Sequence, residues 1–94
     1  MPTLSDTEVQ ERLARAERWH LDDAGEIELE EKFADFADAV AFVDRVAAVA
    51  EEANHHPDIL LHGWNKVRLT LSTHSEGGLT AADFALAGQI DELG

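Results

Sequence analysis

The apolar residues of this chain change their spacing from segment to segment, and the order of those changes leaves few folds open. Ile27, Leu29 and Phe33 share one parity while Glu28, Glu30 and Lys32 take the other, a two-residue period that predicts a half-buried strand over 27–33. Glu31 is the exception on the apolar side. From Phe36 onward the spacing becomes helical. Phe36, Val40, Val43 and Ala47 recur at the 3.6-residue period, and Ala39, Phe42, Val46 and Ala50 widen the stripe. Asp38, Asp44, Arg45, Glu51 and Glu52 occupy the rest of the surface. Asp35 is the expected N-cap, Asn54 tolerates a left-handed C-cap and Pro57 prevents continuation, so the helix is predicted over 36–54. The two-residue period then returns at Val67, Leu69 and Leu71.

The flanking segments complete the order. Ser5 and Glu8 form a capping box, with Leu4 and Val9 as its hydrophobic staple. Val9, Leu13 and Ala16 mark the apolar face of a first helix, from about Asp6 to Glu17. Trp19 to Leu21 read as a strand that turns near Gly25 and pairs with 27–33 as a hairpin. Ile59 to Leu61 read as a short strand, and His62-Gly63-Trp64-Asn65 contain the turn into Val67–Leu71. Gly77-Gly78 breaks the chain before a second capping box, Thr80 with Asp83, stapled by Leu79 and Phe84. Leu86, Ile90 and Leu93 give the last helix its core face. The result is an α+β fold, with three helices packed on one face of a four-stranded antiparallel sheet. At 94 residues, with no internal repeat or linker, it is expected to form a single domain over 1–94.

Charge and composition narrow the function. Twenty acidic residues against seven basic ones leave a net charge of -13, which repels phosphate backbones and anionic membranes and argues against nucleic-acid or membrane partners. Apolar runs such as Ala39 to Val43 are too short to span a bilayer. The N-terminus lacks a basic stretch leading into an apolar one, so a secretory leader is not expected. With no cysteine, disulfides, thiolate nucleophiles and iron–sulfur clusters are excluded, and a cytoplasmic location is expected. The acidity also predicts salt dependence, because screening relieves self-repulsion. The melting temperature should rise in molar KCl; an unchanged one would leave the charge as a mere solubilising surface.

Histidine carries the chemistry. His55 and His56 end the long helix, and a hairpin turning near Trp64 and Asn65 returns His74 to the neighbourhood of His55. Imidazole, with an unperturbed pKa of about 6.5, is the side chain best suited to moving protons near neutral pH. Glu51, one helical turn before His55, is expected to orient that ring. The group suits a reaction in which one side chain donates a proton and another accepts one. A zinc site of Glu51, His55 and His74 is the competing reading, but adjacent histidines at a helix end ligate poorly together and no HExxH spacing occurs, so no metal is expected. His20 and His62 have no evident partner and are expected at the surface. Asp83 is explained as a cap, and Trp64 either covers the core edge or meets a flat ring.

Glu51, His55-His56-Pro57, Trp64, His74 and Asp83, in this order and spacing, resemble the signature of pterin-4a-carbinolamine dehydratases. The likeness extends through Phe33–Phe36, Arg45–Ala47, Ala50–Glu52, Asn65–Val67, Leu71–His74 and Gly78–Thr80, and covers nearly all of the chain after Trp19. The resemblance implies an enzyme that dehydrates 4a-hydroxytetrahydropterin (as 4a-hydroxytetrahydrobiopterin dehydratase) to quinonoid dihydropterin, without a cofactor. It implies His55, His56 and His74 as catalytic and substrate-contacting residues, with Glu51 in support. The stretches His55–Pro57 and Thr73–Glu76, which include Ser75, would line the pterin pocket. Trp64 and Asp83 complete the implied set, and Asn54 stands where some members carry aspartate. The resemblance also implies a homodimer or homotetramer. A non-catalytic, homo-oligomeric protein-binding module of the same fold is the alternative.

Overall fold

The computed structural model describes residues 2–93. Helix α1 (Asp6–Leu13) is followed by strands β1 (His20–Leu21) and β2 (Ile27–Lys32), then by the long helix α2 (Phe36–Ala53). Strands β3 (Asp58–His62) and β4 (Lys66–Leu71), one 3₁₀ turn at His74–Glu76 and helix α3 (Ala81–Asp91) complete the chain. All neighbouring strands are antiparallel and the spatial order is β1-β2-β4-β3, so each hairpin gives one strand to the centre and one to an edge. The expected α+β architecture is therefore the one observed.

Alternation decides which face is buried. Ile27, Leu29, Val67, Leu69 and Leu71 lie on the covered face with Ala39, Phe42, Val46 and Ala50 of α2 and Leu86, Ala87 and Ile90 of α3. Val9, Trp19 and Leu79 close the core. The opposite parity, Glu28, Glu30, Arg68 and Thr70, stays on the open face. Both capping boxes form, at Ser5/Glu8 and Thr80/Asp83, and Asn54 adopts φ 51°, the left-handed cap that stops α2. Among the described residues no helix is long and apolar enough to cross a membrane.

Tertiary contacts explain two features of the chain, and one strand is longer than the sequence predicts. Helix α1 ends at Leu13 rather than near Glu17, and tighter i→i+3 bonds carry the chain through Arg15, Ala16 and Trp19. That bend buries Trp19, whose indole N–H donates to Asp91 at 3.0 Å. Glu31, the carboxylate on the apolar parity, accepts from Arg18 Nε at 3.1 Å, and Arg18 also reaches Asp91 at 3.3 Å. The β3–β4 ladder is longer than Ile59–Leu61 and pairs Asp58 with Thr70 through to His62 with Lys66.

Trp64 sits in the turn between β3 and β4 with φ 60°, a left-handed conformation that costs an ordinary L-residue about 1–2 kcal/mol. The residue is 61% exposed, so little packing offsets the strain. Glycine removes the strain and gives back part of the gain through the unfolded chain's entropy. Trp64→Gly should therefore raise the melting temperature by about 2–5 °C, on the usual scale for a domain of this size. A lower melting temperature would mean that the indole's contacts outweigh the strain.

Candidate active site

The end of α2 and the entry into β3 set the positions of His55 and His56. Once Asn54 turns left-handed, helical spacing no longer applies beyond it, and the two imidazoles diverge. His55 is drawn inward: its ring is 16% exposed, and Nε2 lies 2.5 Å from Asp83 Oδ1. The exposed His56 ring folds back on the helix, where Nε2 meets Glu51. The expected pairing of Glu51 with His55 is thus corrected to Glu51 with His56. The reason is the left-handed cap, which takes His55 off the face that Glu51 shares.

The antiparallel register of β3 and β4 does the rest. With Asp58 opposite Thr70, the residues that precede β3 lie beside those that follow β4, so 55–57 and 71–73 share one end of the sheet. Thr73 donates to Asp83 Oδ2 at 2.8 Å, and His74 opens the 3₁₀ turn immediately after it. The loop closes by a bridge between Thr73 and Gly78, with Gly77 at φ 77°. Glu51, His55, His56, Pro57, Thr73, His74, Ser75, Glu76 and Asp83 are thereby carried to one end of the molecule. His56, His74, Ser75 and Glu76 are exposed there, and Pro57 is half-buried. Trp64 does not join them. It lies at the opposite end of the hairpin, roughly 15–20 Å away at about 3.3 Å per strand residue.

Asp83 has two functions where the sequence indicated one. Its side chain is wholly buried; Oδ2 accepts the Thr80 N–H at 2.9 Å as the cap requires, while Oδ1 is left for His55. A capping carboxylate has a second oxygen, but its partner comes from 28 residues away and leaves no local signal. The zinc set considered above is not assembled, because Glu51 faces His56 and the His55 Nε2 is held by Asp83. Among the described residues no group of three or more His, Cys, Asp or Glu side chains is arranged to hold a metal.

The other two histidines lie on the open face of the sheet and do have partners: His20 with Glu28 at 3.0 Å, and His62 with Glu30. The hydrogen bond from His62 holds the Glu30 carboxyl below the ordinary carboxylate range, with Arg68 and Lys66 adding to the effect against a burial penalty. These pairs belong to the cross-strand surface, apart from the cluster at the end of α2.

Comparison with known proteins gives a consistent pattern. A family profile described as pterin 4 alpha carbinolamine dehydratase matches residues 2–93. A Chloroflexus aurantiacus protein, provisionally named pterin-4-alpha-carbinolamine dehydratase, is 50% identical over 93 residues, covering 99% of this chain and 98% of its own. A Nostoc protein with the same provisional name is 42% identical over 90 residues, covering 96% and 95%. Among solved structures, a transcriptional coactivator/pterin dehydratase from Brucella melitensis superposes with a TM-score of 0.90 at 34% identity, over 97% of each chain. A pterin dehydratase-like protein described as a RuBisCO assembly factor in the alpha-carboxysome matches less fully, with a TM-score of 0.67 at 30% identity over 80% of this chain and 87% of its own.

Proposed function

The chain belongs to the pterin-4a-carbinolamine dehydratase family, and from that premise we propose that it dehydrates 4a-hydroxytetrahydropterin to quinonoid dihydropterin by histidine acid–base catalysis. The observation that carries this reading is the link from His55 through Asp83 to Thr73, which joins one imidazole to the loop bearing another. In the reaction the C4a–O bond breaks and the hydroxyl leaves as water with a proton from the acid. The base takes the N5 proton, and the N5=C4a double bond forms. No electrons leave the ring, so the chemistry needs neither nicotinamide nor flavin, and the imidazoles supply the acid and the base.

His55 and His74 take the acid and base roles, and His56, braced by Glu51, positions the pterin against His55–Pro57 and Thr73–Glu76. Two imidazoles can each contribute about 10²–10⁴-fold. On this division His56→Ala should raise KM and largely keep kcat. A fall in kcat at constant KM would put His56 in the chemical step instead.

The second reading is a homo-oligomeric binding module with little or no catalysis, and it has its own support. One similar structure is named a coactivator and another an assembly factor. Phe36 and Val40 on α2 are exposed, and edge strand β3 shows Ile59 and Leu60 to solvent beside unpaired backbone. These surfaces also suit a homodimer or homotetramer of the enzyme, placed in the cytoplasm with the pterin as its ligand. Sedimentation tests the assembly, and turnover of the pterin separates the enzyme from the module.

A further inference from the structure

We propose that Thr73 is a positioning residue which, acting through Asp83, locks His55 in the Nε2–H tautomer, so that Nδ1 is the nitrogen that exchanges a proton with the substrate. The inference deepens the dehydratase reading and rests on it for the word substrate; the tautomer itself does not. A hydroxyl has one proton, and Thr73 gives it to Asp83 Oδ2 at 2.8 Å. The 2.9 Å contact between Thr73 and Thr80 hydroxyls must then run from Thr80 to Thr73. Thr80 Oγ1 in turn accepts the Ala82 N–H at 3.2 Å. Every bond thus points one way, from the first turn of α3 through Thr80 and Thr73 into the carboxylate. Such chains strengthen cooperatively at low dielectric, and both Thr80 and Asp83 are fully buried.

The consequence falls on His55. Oδ2 is occupied by the Thr80 N–H and the Thr73 hydroxyl, which leaves Oδ1 as acceptor for the ring. With the Thr80 N–H and the Thr73 hydroxyl both donating to it, the carboxylate acts as an acceptor, and the hydrogen of its third bond then sits on Nε2. The bond at one imidazole nitrogen decides what the other can do. Nδ1 has no hydrogen-bond partner among the described residues and is not among their buried unpartnered atoms, so it reaches the surface. The Thr73 hydroxyl proton is thus committed to Asp83, and through that carboxylate it acts on His55.

The test is ¹H–¹⁵N long-range NMR of the His55 ring in the ligand-free protein, at a pH where the ring is neutral, paired with kinetics of Thr73→Val and Thr73→Ser. The wild type should show Nδ1 at the shift of an unprotonated nitrogen and Nε2 at that of a protonated one. Thr73→Val should blur this pattern and lower kcat by about 10- to 100-fold with KM unchanged, as loss of a positioning group does. Thr73→Ser should restore both. A protonated Nδ1 in the neutral wild-type ring would overturn the proposal, and that result stands even if the valine variant fails to fold. So would a valine variant that keeps both pattern and kcat, or one that changes KM alone. If the pterin reading failed, no form would turn the substrate over, yet the wild-type tautomer would still be seen.

Discussion

A variant carrying both His55→Asn and His74→Asn should lose the dehydration of 4a-hydroxytetrahydropterin down to the uncatalysed rate while remaining folded. Each single change is expected to lower kcat by about 10²–10⁴-fold, the usual worth of a general acid or base. The double variant should fall little further than the worse single, because groups that act in one step are not additive. Asparagine is chosen over alanine at 55 because its amide can still donate toward Asp83, whose side chain is fully buried and needs a partner. His74 is exposed, and its loss should leave the melting temperature within a few degrees. Multiplicative losses, or full activity in either single variant, would contradict the shared step.

Asp83→Ala should be the most damaging single change to stability among the site residues. The carboxylate accepts from the Thr80 N–H, the Thr73 hydroxyl and the His55 ring, and alanine leaves all three donors without it. Loss of half a capping box costs about 1 kcal/mol, and each buried donor left unpaired costs a further ~1–3 kcal/mol before relaxation. A net loss of about 2–4 kcal/mol is expected, a drop of roughly 10–25 °C in melting temperature for a domain of this size. Exposed Asp44 on α2 is the control, and Asp44→Ala should stay within about 0.5 kcal/mol. A similar small effect at Asp83 would mean that the carboxylate is not held as described.

The elements were legible where local rules decide them. The switch between periods located β2, α2 and β4, and the capping boxes at Ser5 and Thr80 fixed where α1 and α3 begin. Asn54 announced the end of α2, and a hairpin turning at 63–65 was enough to bring 55 near 73–74. What escaped was set by contacts between distant residues. Helix α1 stops early because Trp19 must reach the core and Asp91, 72 positions away. Glu51 meets His56 because a left-handed residue intervenes, which no count along an unbroken helix reveals. The second oxygen of Asp83 finds His55 only once α2, β4 and α3 have packed together.

The carboxylate that caps α3 also holds His55, so that ring is fixed to the helix end. His56, with its Nε2 on Glu51, and His74 stay exposed beside it.

The most direct test is to generate 4a-hydroxytetrahydropterin in solution and follow its conversion to quinonoid dihydropterin with and without the wild-type protein. The rate should rise in proportion to protein concentration and return to the spontaneous value with the His55→Asn/His74→Asn variant. A folded wild-type protein that leaves the spontaneous rate unchanged would contradict the dehydratase assignment and leave the binding module as the reading to pursue.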